Sequence, residues 1–227
     1  LNAYKNFCPE ACFINLSTNK VYGDIPNQFE FVEKKYRFEI SSKNKFYSHG
    51  FDESLSIDNC THSFFGASKL SADLYVQEFG KYFKLNTVTF RGGCLTGENH
   101  SGVELHGFLS YIVKSIIRKK TYNIFGYKGK QVRDNIHSKD LVNCFWSYFK
   151  NPKCGKIYNI GGGRKNSCSI LEVIKFFKAN YNIETKYYYK NQNRVGDHIW
   201  WISDFRKFKN DYPSWSLKYN LEDILNK

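Results

Sequence analysis

The sequence predicts an α/β fold of the doubly wound type, and three stretches carry that reading. Cys12 to Leu16 is short and apolar and ends at Ser17-Thr18, the pattern of a buried strand running into a polar turn. Ser63 to Phe83 has helical spacing, with Leu70, Leu74, Val76, Phe79 and Phe83 as a broad apolar face and Gly80 near its end. Leu85 to Phe90 alternates and is β-branched, so it reads as a second strand. A glycine-rich turn, Arg91-Gly92-Gly93-Cys94-Leu95-Thr96-Gly97, follows it. Strand, helix and strand in that order belong to an α/β sheet.

Between the first strand and the long helix, residues 23–59 read as a polar loop region studded with aromatics. Beyond Thr96 the elements become smaller. Phe108 to Lys119 reads as a helix, and Tyr122 to Phe125 as a short strand closed by the hairpin-like turn Gly126-Tyr127-Lys128-Gly129. Asp140 to Lys150 is a helix opened by an acid, Lys156 to Ile160 a strand, and Ser169 to Lys178 a helix. Glu184 to Tyr189 is a strand and Leu221 to Leu225 a short final helix. A soft domain boundary falls near Thr96. Residues 1–95 form the first unit and residues 96–227 the second, with strands or helices that can return to the first sheet.

The 227 residues carry a formal charge of +13, which raises nucleic-acid binding as a function class. The distribution argues against it: lysines are scattered, and no basic run is longer than Arg118-Lys119-Lys120. Arginine is scarce, and Arg91, Arg133 and Arg194 fall within motifs where a planar anion binder is useful. The seven cysteines include no Cys-x-x-Cys pair and no His nearby to complete a zinc set, so no metal site is expected. They read as reduced, mostly buried thiols of a cytoplasmic protein. No run reaches membrane-spanning length and no signal peptide is visible, so no membrane partner is expected. The chain contains no Met and opens on a short polar stretch before its first strand, which reads as a chain whose beginning is missing or processed.

Four stations carry chemistry. They are Ser17-Thr18-Asn19-Lys20-Val21-Tyr22-Gly23, then Gly66-Ala67-Ser68-Lys69, then Gly129-Lys130-Gln131-Val132-Arg133-Asp134 running on through His137 to Asp140, and finally Arg194-Val195-Gly196-Asp197. Tyr158-Asn159-Ile160-Gly161-Gly162-Gly163 lies between the last two. In this order they resemble the extended short-chain dehydrogenase/reductase superfamily, in particular its nucleotide-sugar epimerases, across nearly the whole chain.

The resemblance implies the C-terminal part of a Rossmann-type doubly wound parallel sheet that holds NAD, with a smaller α/β domain that holds the sugar nucleotide. The site is expected at the carboxyl ends of the strands. The superfamily's Gly-x-x-Gly-x-x-Gly loop is absent, and Gly161-Gly162-Gly163 lacks its spacing and follows a strand of the substrate domain. Roughly the first 100 residues of the family plan are therefore expected to precede this chain. Without them it should not bind NAD tightly.

By the same resemblance, Thr18 hydrogen-bonds the reacting hydroxyl, and Lys69 contacts the nicotinamide ribose and tunes a neighbouring tyrosine. Ser17, Gly92 and Gly93 line the cofactor, the glycines letting the backbone come close. Arg133 and Arg194 grip the diphosphate, Asp197 lies near the nucleotide ribose, and Cys94 and His106 lie near the sugar. His137 reads as a structural residue of an Arg133-Asp134-x-x-His137 turn, and Asp134 and Asp140 read as structural or capping residues.

The departure from the pattern is Phe65, which stands where the superfamily places its catalytic tyrosine. A phenyl ring packs but takes no proton.

The implied activity is epimerisation of a nucleotide sugar, at C2 of a CDP-hexose, by oxidation, flip and re-reduction with tightly bound NAD. Three explanations of Phe65 stay open: another base, such as Lys69 through water or a residue of the missing segment, which is favoured; a different reaction; or binding without turnover. A 4,6-dehydratase of the same superfamily carries an Asp-Glu pair directly after the threonine, and here that position is Asn19-Lys20. A homodimer through a helix pair would be usual for the family.

Overall fold

The computed structural model describes residues 1–104, 107–193 and 196–226. A short helix α1 (Asn2–Phe7) leads into strand β1 (Phe13–Thr18), then two single 3-10 turns and a small antiparallel hairpin, β2 (Phe31–Glu33) and β3 (Phe38–Ile40). Helix α2 (Ser63–Phe83) and strand β4 (Thr87–Gly92) follow, then β5 (Cys94–Thr96), α3 (Phe108–Ile117), β6 (Tyr122–Phe125), β7 (Val132–His137) and α4 (Ser138–Lys150). The chain continues through β8 (Lys156–Ile160), β9 (Ser167–Ser169), α5 (Ile170–Tyr181), β10 (Tyr187–Lys190), β11 (Trp200–Trp201), α6 (Arg206–Asp211) and α7 (Leu221–Asn226).

Three parallel strands in the order β1-β4-β8 form the sheet that positions the site. β4 is buried along its whole length, as expected for the middle strand of a covered parallel sheet. Val88, Phe90, Tyr158 and Ile160 pack there against Leu141, Cys144 and Tyr148 of α4 and Phe208 of α6. β8 thus lies in the same sheet as β1, and Gly161-Gly162-Gly163 leaves the end of that sheet rather than a separate substrate-domain strand. A second core gathers Val21, Tyr22 and Phe51 around Trp200 and Trp201. A third joins α3, β6, α5 and α7 through Ile112, Ile124, Val173 and Leu225.

Four further expectations need correction. Val132–His137 is not a turn but a fully buried strand, parallel to β5 and β11 and antiparallel to β9. Its polar residues masked the strand pattern; Arg133 and Asp134 are buried there because they find their partners within the fold. The stretch after β6 is a 3-10 turn, and β6 pairs in parallel with the distant β10 instead of closing a hairpin. The thiols are all free, yet only Cys144 and Cys168 are buried; Cys8 and Cys154 are exposed in connecting segments.

The fourth correction concerns α2. Its expected apolar face is only partly the core face: Val76 is buried, but Leu74 and Phe83 are 42% and 41% exposed. The buried positions are Gly66, Asp73, Val76, Gln77 and Gly80. Close approach explains this choice. A Cβ on Gly80 would lie 2.0 Å from Thr87 Oγ1 and 2.6 Å from the Gly155 Cα. Glycine lets the helix lie almost against the sheet, where a bulkier residue would push it away.

Candidate active site at the strand ends

The register of the sheet sets Ser17, Arg91 and Asn159 side by side on β1, β4 and β8. One residue further, Thr18, Gly92 and Ile160 end the three strands in a row. Thr18 Oγ1 accepts the Lys20 amide at 3.3 Å, capping the 3-10 turn that begins there. The expected substrate-orienting residue is therefore also a cap, and the two roles use the same hydroxyl oxygen.

Helix α2 lies beside this end of β1. A Cβ on Gly66 would fall 2.6 Å from the Lys20 carbonyl oxygen, so the first turn of α2 sits directly on the 3-10 turn. Ser63 opens the helix with φ of 59°, a left-handed value that costs a side-chain-bearing residue about 1 kcal/mol or more. Phe65 is 55% exposed. One turn later the Lys69 ammonium donates to the Leu16 carbonyl at 3.3 Å. Ser17, Thr18, Phe65, Lys69 and Gly92 are thus gathered at one end of the sheet by β1, α2 and β4.

The two glycines after Arg91 have different surroundings. At Gly92 the nearest atom to an added Cβ is Leu95 Cδ2 at 3.4 Å, an ordinary contact. At Gly93 it is Asp134 Oδ1 at 2.8 Å. Asp134 is fully buried and accepts the amides of Gly163 and Ser203, each at 3.0 Å. Burial pushes its carboxyl up to about 6 against the pull of those amides. Asp140 is likewise buried and accepts the Lys218 and Tyr219 amides. His137 caps α4 by accepting the Lys139 amide and stacks on Tyr219 at 4.0 Å.

A second group lies on β7 and the segment before β11. Arg133 is buried; its Nη2 donates to Asp197 Oδ1 and to the His198 carbonyl, each at 2.5 Å, and its Nη1 donates to the Val132 carbonyl at 2.7 Å. Lys20 Nζ stands 3.8 Å from the same carboxylate oxygen. Burial alone would raise the Asp197 carboxyl; the charges of Arg133 and Lys20 overcome it and hold the group at about 2. His198 is fully buried, and its Nε2 donates to the Gly23 carbonyl at 2.9 Å. Burial first, then the charges of Lys20 and Arg133, drives its pKa well below the usual value, so the ring is neutral.

Cys94 belongs between the two groups. It pairs in register with Asn135 on β7, and burial pushes its thiol up to about 11. That keeps it an unionised, weakly polar surface rather than a nucleophile. His106 and Arg194 lie outside the described residues.

Arg91 departs from the sequence reading. It is not open to a ligand anion: its guanidinium is buried against the Asp73 carboxylate, with Nε 2.8 Å from Asp73 Oδ2 and Nη1 2.9 Å from the Tyr22 phenol oxygen. Three residues of the second group escaped the sequence reading. Lys20 stood inside a motif but was read only as the absence of an acid. Asn27 donates to the Asp197 carbonyl at 2.8 Å and accepts the Ile199 amide at 2.7 Å. Tyr127 OH reaches the same Asp197 carbonyl at 3.5 Å. Nothing local marks Asn27 or Tyr127, because the partner segment is 170 and 70 residues away respectively.

Comparison with known proteins bears on the family and fold of the chain. The pattern of the NAD dependent epimerase/dehydratase family matches residues 3–161. Across its whole length the chain is 31% identical to CDP-paratose 2-epimerase of Salmonella typhi and covers 66% of that protein. It is 24% identical over 77% of its length to a dTDP-glucose 4,6-dehydratase of Escherichia coli, covering 46% of it. UDP-glucuronic acid 4-epimerase from Bacillus cereus, solved in complex with UDP-glucuronic acid and NAD, matches with a TM-score of 0.75 at 22% identity, over 99% of this chain and 62% of that one. The chain thus has the Rossmann-type α/β fold of that enzyme, and it spans about two thirds, or less, of the length of these relatives. Among the described residues no helix is long and apolar enough to cross a membrane.

Proposed function

Since the chain belongs to the NAD dependent epimerase/dehydratase family, we propose that it is the catalytic and substrate-binding part of an NAD-dependent nucleotide-sugar epimerase acting at C2 of a CDP-hexose. The whole-chain similarity to CDP-paratose 2-epimerase supports this choice of sugar nucleotide. Lys20 carries the epimerase side of the reading. The superfamily's 4,6-dehydratases carry an Asp-Glu pair directly after the threonine as acid and base for water elimination, whereas here Asn19-Lys20 take that place, with Lys20 Nζ 3.8 Å from Asp197.

The residues present fit the nicotinamide end of NAD: a strand-end row with an open glycine, Gly92, beside a threonine and a lysine. They include no Gly-x-x-Gly-x-x-Gly cradle for the pyrophosphate. When bound, NAD supplies the hydride chemistry. On this reading Ser17, Lys69, Gly92 and Gly93 line the cofactor, and Thr18 Oγ1 orients the reacting hydroxyl. Arg133 serves the diphosphate, exchanging part of its hold on Asp197 for it, with Arg194 as its partner. Asp197 and Cys94 border the nucleotide and the sugar, and His106 is a further sugar-facing residue of this reading. The reading includes a homodimer through paired helices, for which Leu74, Tyr75 and Tyr82, exposed on α2, supply an apolar face. It also places the protein in the cytoplasm.

Phe65 alone favours a second reading, a sugar-nucleotide-binding protein without turnover. NMR of CDP-paratose incubated with the protein, carrying whatever its gene encodes upstream of Leu1, separates the two. Appearance of CDP-tyvelose establishes the epimerase. An unchanged spectrum with NAD and CDP-paratose both bound establishes the binder.

A further inference from the structure

Directly beneath the strand-end row lies a continuous buried polar chain. Asp73 of α2 accepts Ser17 Oγ of β1 at 3.1 Å, Arg91 Nε and Nη2 of β4 at 2.8 and 3.2 Å, and Gln77 Nε2 at 2.6 Å. Arg91 Nη1 donates to the Tyr22 phenol at 2.9 Å, and that phenol donates to Asn159 Oδ1 of β8 at 2.8 Å. Asn159 then donates through Nδ2 to the Phe51 carbonyl at 2.9 Å and through its amide to Glu53 Oε1 at 2.6 Å. Ser17, Arg91, Tyr22, Asn159 and Asp73 are all buried.

Core packing alone does not call for this arrangement. A buried ion pair is often no more stabilising than an apolar replacement of the same shape, but its geometry is specific. Here that specificity falls at one place. Ser17 immediately precedes Thr18, Asp73 follows Lys69 by one helical turn, and Arg91 immediately precedes Gly92. Tyr22 ends the 3-10 turn that Thr18 caps. Each member is thus one residue or one turn from a residue of the strand-end row or its neighbours.

We propose that Ser17 and Tyr22, acting through the Asp73–Arg91 pair, are positioning residues that fix Lys69 and Thr18 relative to each other. The inference rests on the reading of the site given above. Tyr22 touches none of the reacting groups; its phenol sets Arg91, Arg91 sets Asp73, and Asp73 holds α2 against β1. Ser17 acts on the same carboxylate from the strand side.

The test uses Ser17→Ala and Tyr22→Phe, each of which removes one hydroxyl and leaves the Asp73–Arg91 pair in place, with Ser17→Thr as the conservative rescue. In the full-length gene product, kcat for CDP-paratose should fall about 10-fold or more in both variants while KM stays within about 2-fold. Ser17→Thr should restore kcat. Independently of turnover, the rate at which acetic anhydride labels Lys69 should change by about 3-fold or more relative to exposed Lys165, because the amine's surroundings shift with the helix. Unchanged Lys69 labelling, or a kcat loss that only tracks the unfolded fraction, overturns the proposal. Wild-type protein without turnover whose Lys69 labelling still responds to both variants would sink the epimerase reading and leave the positioning role standing.

Discussion

Lys69 and Asp73, one turn apart on α2, grip successive residues of β1: the ammonium holds the Leu16 carbonyl and the carboxylate holds the Ser17 hydroxyl. The helix that carries Phe65 is therefore tied to the strand that carries Thr18 by two polar contacts, one of them fully buried. In this arrangement the Lys69 ammonium is engaged as a donor.

Phe65→Tyr tests the proton step. The ring is already half exposed, so the added hydroxyl meets water and stability should stay unchanged. General-base assistance is worth about 10²–10⁴-fold, so turnover of CDP-paratose should rise by about 10² or more. Steady-state kinetics of the two proteins decide it, and equal kcat values would mean that another base already carries the step.

Asp197 predicts an acid limb of stability. Its carboxyl is held at about 2, below the ordinary value of 3.8. A depressed carboxyl stabilises the fold above its unfolded pKa, and the stabilisation fades as pH falls from about 4 towards 2. The depression corresponds to about 2 kcal/mol at neutral pH. Asp197→Asn should lose about that amount in urea unfolding at pH 7 and converge on wild type near the acid end of the range.

Asp134 predicts the opposite sign. Its carboxyl is raised from 3.8 to about 6 by burial. Its contribution is therefore fully present below the unfolded value and is lost as pH rises through about 6. Relative to Asp134→Asn, the wild type should weaken by about 2 kcal/mol between pH 4 and pH 7. A constant difference between the two proteins across that range would show that Asp134 does not titrate there.

The glycines around this carboxylate separate packing from ligand approach. A Cβ on Gly161 would fall 2.1 Å from Asp134 Oδ2, so Gly161→Ala should cost about 1–3 kcal/mol by overpacking. Gly92→Ala meets nothing closer than 3.4 Å and should leave the melting temperature unchanged. If Gly92 admits the nicotinamide, the same variant should weaken NAD binding, read by calorimetry.

By itself the sequence determined the strand–helix–strand order, the span of α2 and the four motifs that mark the family. Those features are local: a period of 2 or 3.6 and a short string are complete within a few residues. Tertiary structure alone decided which face of α2 is buried, because glycine and Asp73 fit the sheet more closely than Leu74 or Phe83 do. It also turned Arg91 from an anion binder into the partner of Asp73, and set Lys20, Arg133 and Asn27 around Asp197. A charge finds its partner by distance in space, and partners that lie from 18 to 177 residues away along the chain leave no spacing to read.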